Sequence, residues 1–118
     1  TMPIRDVPRR LQAIVSLIDG MIEQTHGQAF DHIRGNFLYE RAIERVIELI
    51  SEESETLAEV LGPRHPGAEL QPVLALAEQL VDNDYRIETY DMWQLLTRQL
   101  PALKAAILPI LTDYTFEI

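Results

Sequence analysis

Apolar residues recur along this chain with helical spacing almost from end to end, and the alternation that strands require is hard to find. In the first segment Leu11, Ile14, Val15, Ile18, Met21 and Ile22 fall on one face of a helix. Asp6 is placed to cap its start, with Pro8 in the first turn where a missing N–H costs nothing, and His26-Gly27 supplies a stop. Gln28 to Arg34 reads as a short helical stretch, broken by Gly35-Asn36. The longest helix is expected over 37–61, where Phe37, Ile43, Val46, Ile47, Ile50, Leu57, Val60 and Leu61 keep an apolar stripe. Arg41, Glu44, Arg45, Glu48, Glu52, Glu55 and Glu59 carry its polar side, with Arg41 and Glu44, and Arg45 and Glu48, at pairing distance along the helix.

Gly62-Pro63-Arg64-His65-Pro66-Gly67 reads as a loop. A fourth helix is marked by Leu70, Val73, Leu74, Ala77, Leu80 and Val81 and ends near Asn83. Asp91 is expected to cap a fifth helix carrying Met92, Trp93 and Leu96, which Leu100-Pro101 interrupts. Leu103, Ile107 and Leu111 continue on a last helix, and Tyr114 to Ile118 has strand-like residues but is too short to assign. With no internal repeat, the expected architecture is an all-α, up-and-down bundle of about five to six helices. It forms a single domain over 1–118, with Thr1 ahead of Met2 reading as an expression scar and 112–118 as a C-terminal tail.

Composition removes several classes of function. The 118 residues include no cysteine, which excludes a disulfide scaffold, a thiol nucleophile and any thiolate metal site. No apolar run approaches the roughly 18 residues of a membrane span and no signal-peptide pattern opens the chain, so the expectation is a cytoplasmic protein that does not enter a membrane. The net charge is −9, and it is unevenly placed. Residues 1–45 balance six arginines (Arg5, Arg9, Arg10, Arg34, Arg41, Arg45) against six acids, while 46–118 hold four basic residues against thirteen acidic. Nucleic-acid binding rests on positive charge meeting phosphate, so the second part is a poor RNA or DNA surface.

Few residues carry chemistry by pattern. His26 stands at a helix end and His65 in a loop; neither has a second histidine four residues on, and both read as structural or surface residues, as does His32. There is no Gly-rich phosphate loop and no G-x-S-x-G. Glu78, Asp82, Asp84, Glu88 and Asp91 cluster around Asn83 and Tyr85, a density that suits a hard cation, but the stretch lacks the glycine and third acidic position of an EF-hand loop. Solvated acids at a helix end are the plainer reading. Trp93 lies on an apolar stripe and is expected in the core.

The segment Leu80-Val81-Asp82-Asn83-Asp84-Tyr85-Arg86-Ile87-Glu88, followed by Trp93 and then Leu100-Pro101-Ala102-Leu103-Lys104, resembles the HepT-like branch of the HEPN superfamily. Members read R-N-x-L-V-H-x-Y-F-x-I-D, then a tryptophan, then L-P-x-L-K, and the spacings from Ile87 to Trp93 and from Trp93 to Pro101 are the family's. Arg41-Ala42-Ile43-Glu44-Arg45 and Ile47-Glu48-Leu49-Ile50-Ser51-Glu52-Glu53 are similar to its R-A-I-E-R and I-I-G-E-A stretches, and Pro66 fits its loop proline. The resemblance covers about residues 4–108 and lies in the order and ungapped spacing of the motifs rather than in any one of them.

The resemblance implies a homodimeric helical bundle. Active members are ribonuclease toxins that cut RNA without metal, using an arginine and a histidine at the dimer cleft. They are paired with a small nucleotidyltransferase that can add AMP to the motif tyrosine. In this chain the arginine position is Ala77, the asparagine position Glu78, the histidine position Asp82 and the tyrosine position Asp84, with Tyr85 and Arg86 following. A register shifted by one aligns Tyr85 with the tyrosine but puts Asn83 at the histidine and Glu78 at the arginine. RNA cleavage of this kind needs a proton-moving group and positive charge on the phosphate. Ala77 supplies neither, and Glu78, Asp82 and Asp84 repel RNA within a Debye length of about 8 Å. The leading expectation is therefore a ribonuclease-inactive homodimer that binds a nucleotidyltransferase, with no cofactor. Two alternatives stand beside it: a metal-independent ribonuclease using Arg86 with Asp82 or His32, and an acidic metal-binding bundle on Glu78, Asp82, Asp84 and Glu88.

Overall fold

The structure, a computed structural model, describes residues 6–61, 75–76, 78–79 and 87–117. Five α-helices and one π-helical turn are delimited among the described residues: α1 (Asp6–Thr25), α2 (Phe30–Ile33), α3 (Phe37–Leu61), α4 (Thr89–Gln94), the π turn (Leu95–Gln99) and α5 (Leu100–Glu117). The chain is all-α there, and none of these helices is long and apolar enough to cross a membrane. The expected loop 62–67 and most of the expected fourth helix lie outside the described residues; Ala75, Leu76, Glu78 and Gln79 are helical.

The first two connections follow from glycine. Gly27 (φ +75°) and Gly35 (φ +77°) adopt the left-handed conformation that a side chain disfavours. Between them α2 makes a single helical turn, shorter than the expected Gln28–Arg34 stretch. Asn36 then caps α3: its side-chain oxygen accepts from the N–H groups of Leu38 (3.1 Å) and Tyr39 (3.3 Å), while Glu40 reaches back to the Gly35 N–H at 2.9 Å. α3 runs over the 37–61 range that its periodicity predicts.

The core sits on two regular seams. Val7, Leu11, Ile14, Ile18 and Met21 of α1 are buried at alternating steps of four and three, and Ile43, Ile47, Ile50, Ser54 and Leu57 of α3 repeat that spacing. α1 is the central element, packed on one side against α3 and on the other against α5. Arg10 meets Glu53 at 3.0 Å and Lys104 meets Asp19 at 2.6 Å, so α1 runs antiparallel to both neighbours. The predicted Arg41–Glu44 and Arg45–Glu48 pairs form at 3.3 and 3.1 Å. Arg45–Glu48 is exposed, a class of pair that contributes about 0–1 kcal/mol.

The expected cap at Asp6 lies at the edge of the described residues, where α1 is described from Asp6 onward. Two expectations are corrected. Asp91 sits inside the first turn of α4, and Glu88 holds the cap position, making no side-chain capping bond. Leu100-Pro101 does not interrupt the last helix. Met92, Leu95, Leu96, Leu100, Leu103, Ile107 and Ile110 are buried, and Leu95 and Leu100, both without exposed surface, stand five residues apart. A step of five over-runs one turn of an α-helix, and the wider π turn absorbs the extra residue: the Leu100 N–H donates to the Leu95 carbonyl, five residues back. The same widening accommodates a proline at 101, which has no N–H to offer Thr97. α4, the π turn and α5 thus run end to end from Thr89 to Glu117, and the strand-like residues after Tyr114 continue this helix.

Candidate functional site

Features with chemical potential gather at one end of the bundle, where α1 ends, α2 crosses and α3 and α4 begin. α1 stops at Thr25, whose carbonyl accepts from the Gln28 N–H at 3.0 Å. The chain turns at Gly27 and enters α2, where the Phe30 ring meets the Trp93 ring edge-on at 5.6 Å and 69°. The Arg34 guanidinium lies 5.8 Å from the other ring centre in this stack, that of Phe30. Trp93 packs against the core as expected, but from its margin, where it is half-buried.

A groove of about 210 Å³ opens between the end of α1 and the π turn. Ile22, Ile33, Trp93 and Leu96 form its apolar lining, and Thr25, His26, Gly27, Gln28 and Thr97 its polar margin. The two hydroxyls are occupied within their own helices: Thr25 Oγ1 donates to the Met21 carbonyl and Thr97 Oγ1 to the Trp93 carbonyl, both at 2.8 Å. The imidazole of His26 is exposed and the Gln28 side chain half-buried. No basic residue stands in the last turn of α1, where the Thr25 hydroxyl and the Gln28 N–H donate to the Met21, Ile22 and Thr25 carbonyls.

The residues singled out from sequence are divided. Ala77, Asp82, Asp84, Tyr85 and Arg86 lie outside the described residues, as does His65. Glu78 is exposed and helical, and Glu88 is exposed at the cap of α4. Asp91 accepts from Gln79 Nε2 at 3.4 Å, which ties the helical residues around Glu78 to the first turn of α4. Among the described residues no three His, Asp or Glu side chains come together as a metal site. His32 is exposed on α2, with its ring 5.8 Å from that of Tyr39. Arg10, Arg34, Arg41 and Arg45 each pair with a carboxylate of their own chain, at 3.0–3.6 Å.

The groove is what sequence reasoning missed. Its two local causes, His26-Gly27 and Leu100-Pro101, are visible in the sequence. Their meeting across α1 and the π turn is a long-range contact that no local pattern encodes.

Comparison with known proteins gives one informative relationship. The chain is 20% identical over 112 residues, 95% of its length and 97% of the relative's, to a Methanocaldococcus jannaschii protein named "putative RNase". It is thus a distant relative of that protein over essentially the whole of both chains. No family model matches the chain, and no solved structure matches it.

Proposed function

We propose that this chain is a HepT-like protein of a toxin–antitoxin type system. In this reading it is a homodimer that no longer cleaves RNA and that binds a small nucleotidyltransferase. One observation carries the proposal: the chain aligns along its whole length with a relative named for RNase activity, yet its motif positions hold Ala77, Asp82 and Asp84. An alanine cannot stabilise the charge that develops on a phosphate in the transition state, and carboxylates at the other positions oppose it. The acidic excess of residues 46–118 works in the same direction by repelling a polyanion. The partner and the dimer rest on the family resemblance.

The name of the relative favours a second reading, a ribonuclease that uses Arg86 with Asp82 or His32. Incubating the purified protein with total tRNA at low salt, with and without chelator, separates the two. An Arg86→Ala variant and an Ala77→Arg, Asp82→His double variant run beside it. The expected result is intact tRNA with the unmodified protein. Cleavage that survives chelator and disappears in Arg86→Ala overturns the proposal and makes the protein an enzyme with a rebuilt site. Sedimentation equilibrium tests the dimer, which requires twice the 13.5 kDa chain mass.

A further inference from the structure

We propose that the outward face of α5 is the surface through which two copies of this chain pair, antiparallel about a two-fold axis that passes between Ala105 and Ala106. This deepens the proposed homodimer and rests on that reading for the existence of a dimer; the choice of surface rests on α5 alone.

Composition sets α5 apart first. A quarter of the chain is charged, yet from Gln99 to Thr112 the only charged residue is Lys104. Its ammonium turns back onto α1, where it meets Asp19 at 2.6 Å. The outward faces of the other long helices are ordinary: α1 exposes Arg9, Asp19 and Glu23, and α3 exposes Arg45, Glu52 and Glu55. A helix that is apolar all round is one built to be covered on both sides. α5 is covered on one. Leu103, Ile107 and Ile110 enter the core, while Pro101, Ala102, Ala105, Leu108, Pro109 and Thr112 are exposed, Leu108 with 44% of its surface uncovered.

Charge then selects the occupant. Arg98 and Asp113, both exposed, stand at the two ends of this apolar strip. They are about 22 Å apart along one continuous helix and cannot meet within a chain. In an antiparallel pair about a two-fold axis every contact occurs twice, so Arg98 of each copy falls opposite Asp113 of the other. The axis crosses the strip midway between these charges, at Ala105 and Ala106, where the smallest side chains let two helices approach closely. Leu108 of each copy then lies over the step between Ala102 and Ala105 of the other. A parallel pair sets like charges together, and a partner of a single sign meets a like charge at one end. The net charge of −9 opposes pairing through any strongly acidic face, which leaves this strip as the surface a second copy can approach. One helix face is smaller than the roughly 800 Å² per partner of a standard interface, so self-association in the micromolar range is expected.

Sedimentation equilibrium of the full chain, from micromolar to millimolar concentration, reads the monomer–dimer constant. Ala105→Glu puts a carboxylate of each copy beside the axis and is expected to leave a monomer. Arg98→Asp and Asp113→Arg each weaken the dimer about tenfold, and the two together restore it to within about threefold. Restoration between positions that cannot meet within one chain is a readout that a merely local effect does not produce. Thermal melts of dilute protein verify that every variant folds. Since the chain has no cysteine, Ala105→Cys supplies a single thiol beside the axis. Mild oxidation is expected to link it into a species of twice 13.5 kDa, while Ala42→Cys, exposed on α3, stays unlinked. A monomer at every concentration overturns this inference and the proposed homodimer together. A dimer that Ala105→Glu leaves intact overturns the assignment to α5 and leaves the homodimer standing on another surface. Charge reversal at both ends that fails to restore the dimer overturns the antiparallel pairing.

Discussion

The α1–α3 pair and the helix running from Thr89 to Glu117 are built from the same materials and differ in one respect. Both bury aliphatic side chains in one core, and α3 and the 89–117 helix each lie antiparallel to α1. In α1 and α3 a buried seam repeats at steps of four and three, with Val15, Glu44 and Ser51 buried beside it, and both helices are α-helical throughout. Between Leu95 and Leu100 the seam takes a step of five, and the helix widens into a π turn. The difference teaches where a site forms in such a bundle. A seam in phase with the helix closes on its neighbour and leaves no room for a ligand. A seam one residue out of phase leaves Trp93 half-covered and a groove beside it.

The sharpest way to break this comparison is to remove one leucine from each side of it. Leu11 is fully buried in the regular seam, so Leu11→Ala leaves a cavity that close packing cannot refill and is expected to cost about 2–5 kcal/mol. Leu96 lines the groove, where part of its surroundings is already open, and Leu96→Ala is expected near the bottom of that range. Urea denaturation of both variants provides the check. Equal losses contradict the view that the π turn relaxes packing locally.

How much of this was legible in the sequence follows the same division. The glycine stops at Gly27 and Gly35, the extent of α3 and its two ion pairs were all readable, because each depends on residues close together in the chain. The behaviour of Leu100-Pro101 was not. A proline after a leucine reads locally as a break, and only the demand of the core for Leu95 and Leu100 on the same side turns it into a π turn. The candidate site divides likewise. The residues at 77, 82 and 84 that the resemblance singles out are a matter of sequence alone, whereas the groove needs His26 and Gln28 brought to Trp93 across sixty and more positions of chain.

The regular region has a flaw that sharpens the contrast. Thr25, Thr56, Thr97 and Thr112 each return their hydroxyl to the carbonyl four residues back, at 2.8–3.2 Å. Ser54 occupies a seam position of α3 with no exposed surface, and its hydroxyl has no hydrogen-bond partner among the described residues. A buried, unsatisfied hydroxyl costs about 1–3 kcal/mol. Ser54→Ala removes that group with almost no change of shape, and a gain of about 1 kcal/mol is expected in the same denaturation series. A loss of stability instead means that the hydroxyl is bonded in solution, and the seam is then satisfied throughout.

The smallest expected effects test the helix ends that place the groove. Gly20 lies inside α1 with nothing within 4 Å of where a Cβ would stand. Gly20→Ala is expected to stabilise the protein by about 0.5–1 kcal/mol, through the lower entropy of the unfolded chain and the better helix propensity of alanine. Gly35 also has free space around it, but its φ of +77° is one that alanine adopts only under strain. Gly35→Ala is expected to destabilise by about 1 kcal/mol. Since both sites are open, crowding cannot account for opposite signs, and backbone conformation alone separates them. Thermal melts of the two variants showing shifts in the same direction refute the left-handed turn at Gly35, and with it the route by which α2 is delivered across the end of α1 to meet Trp93.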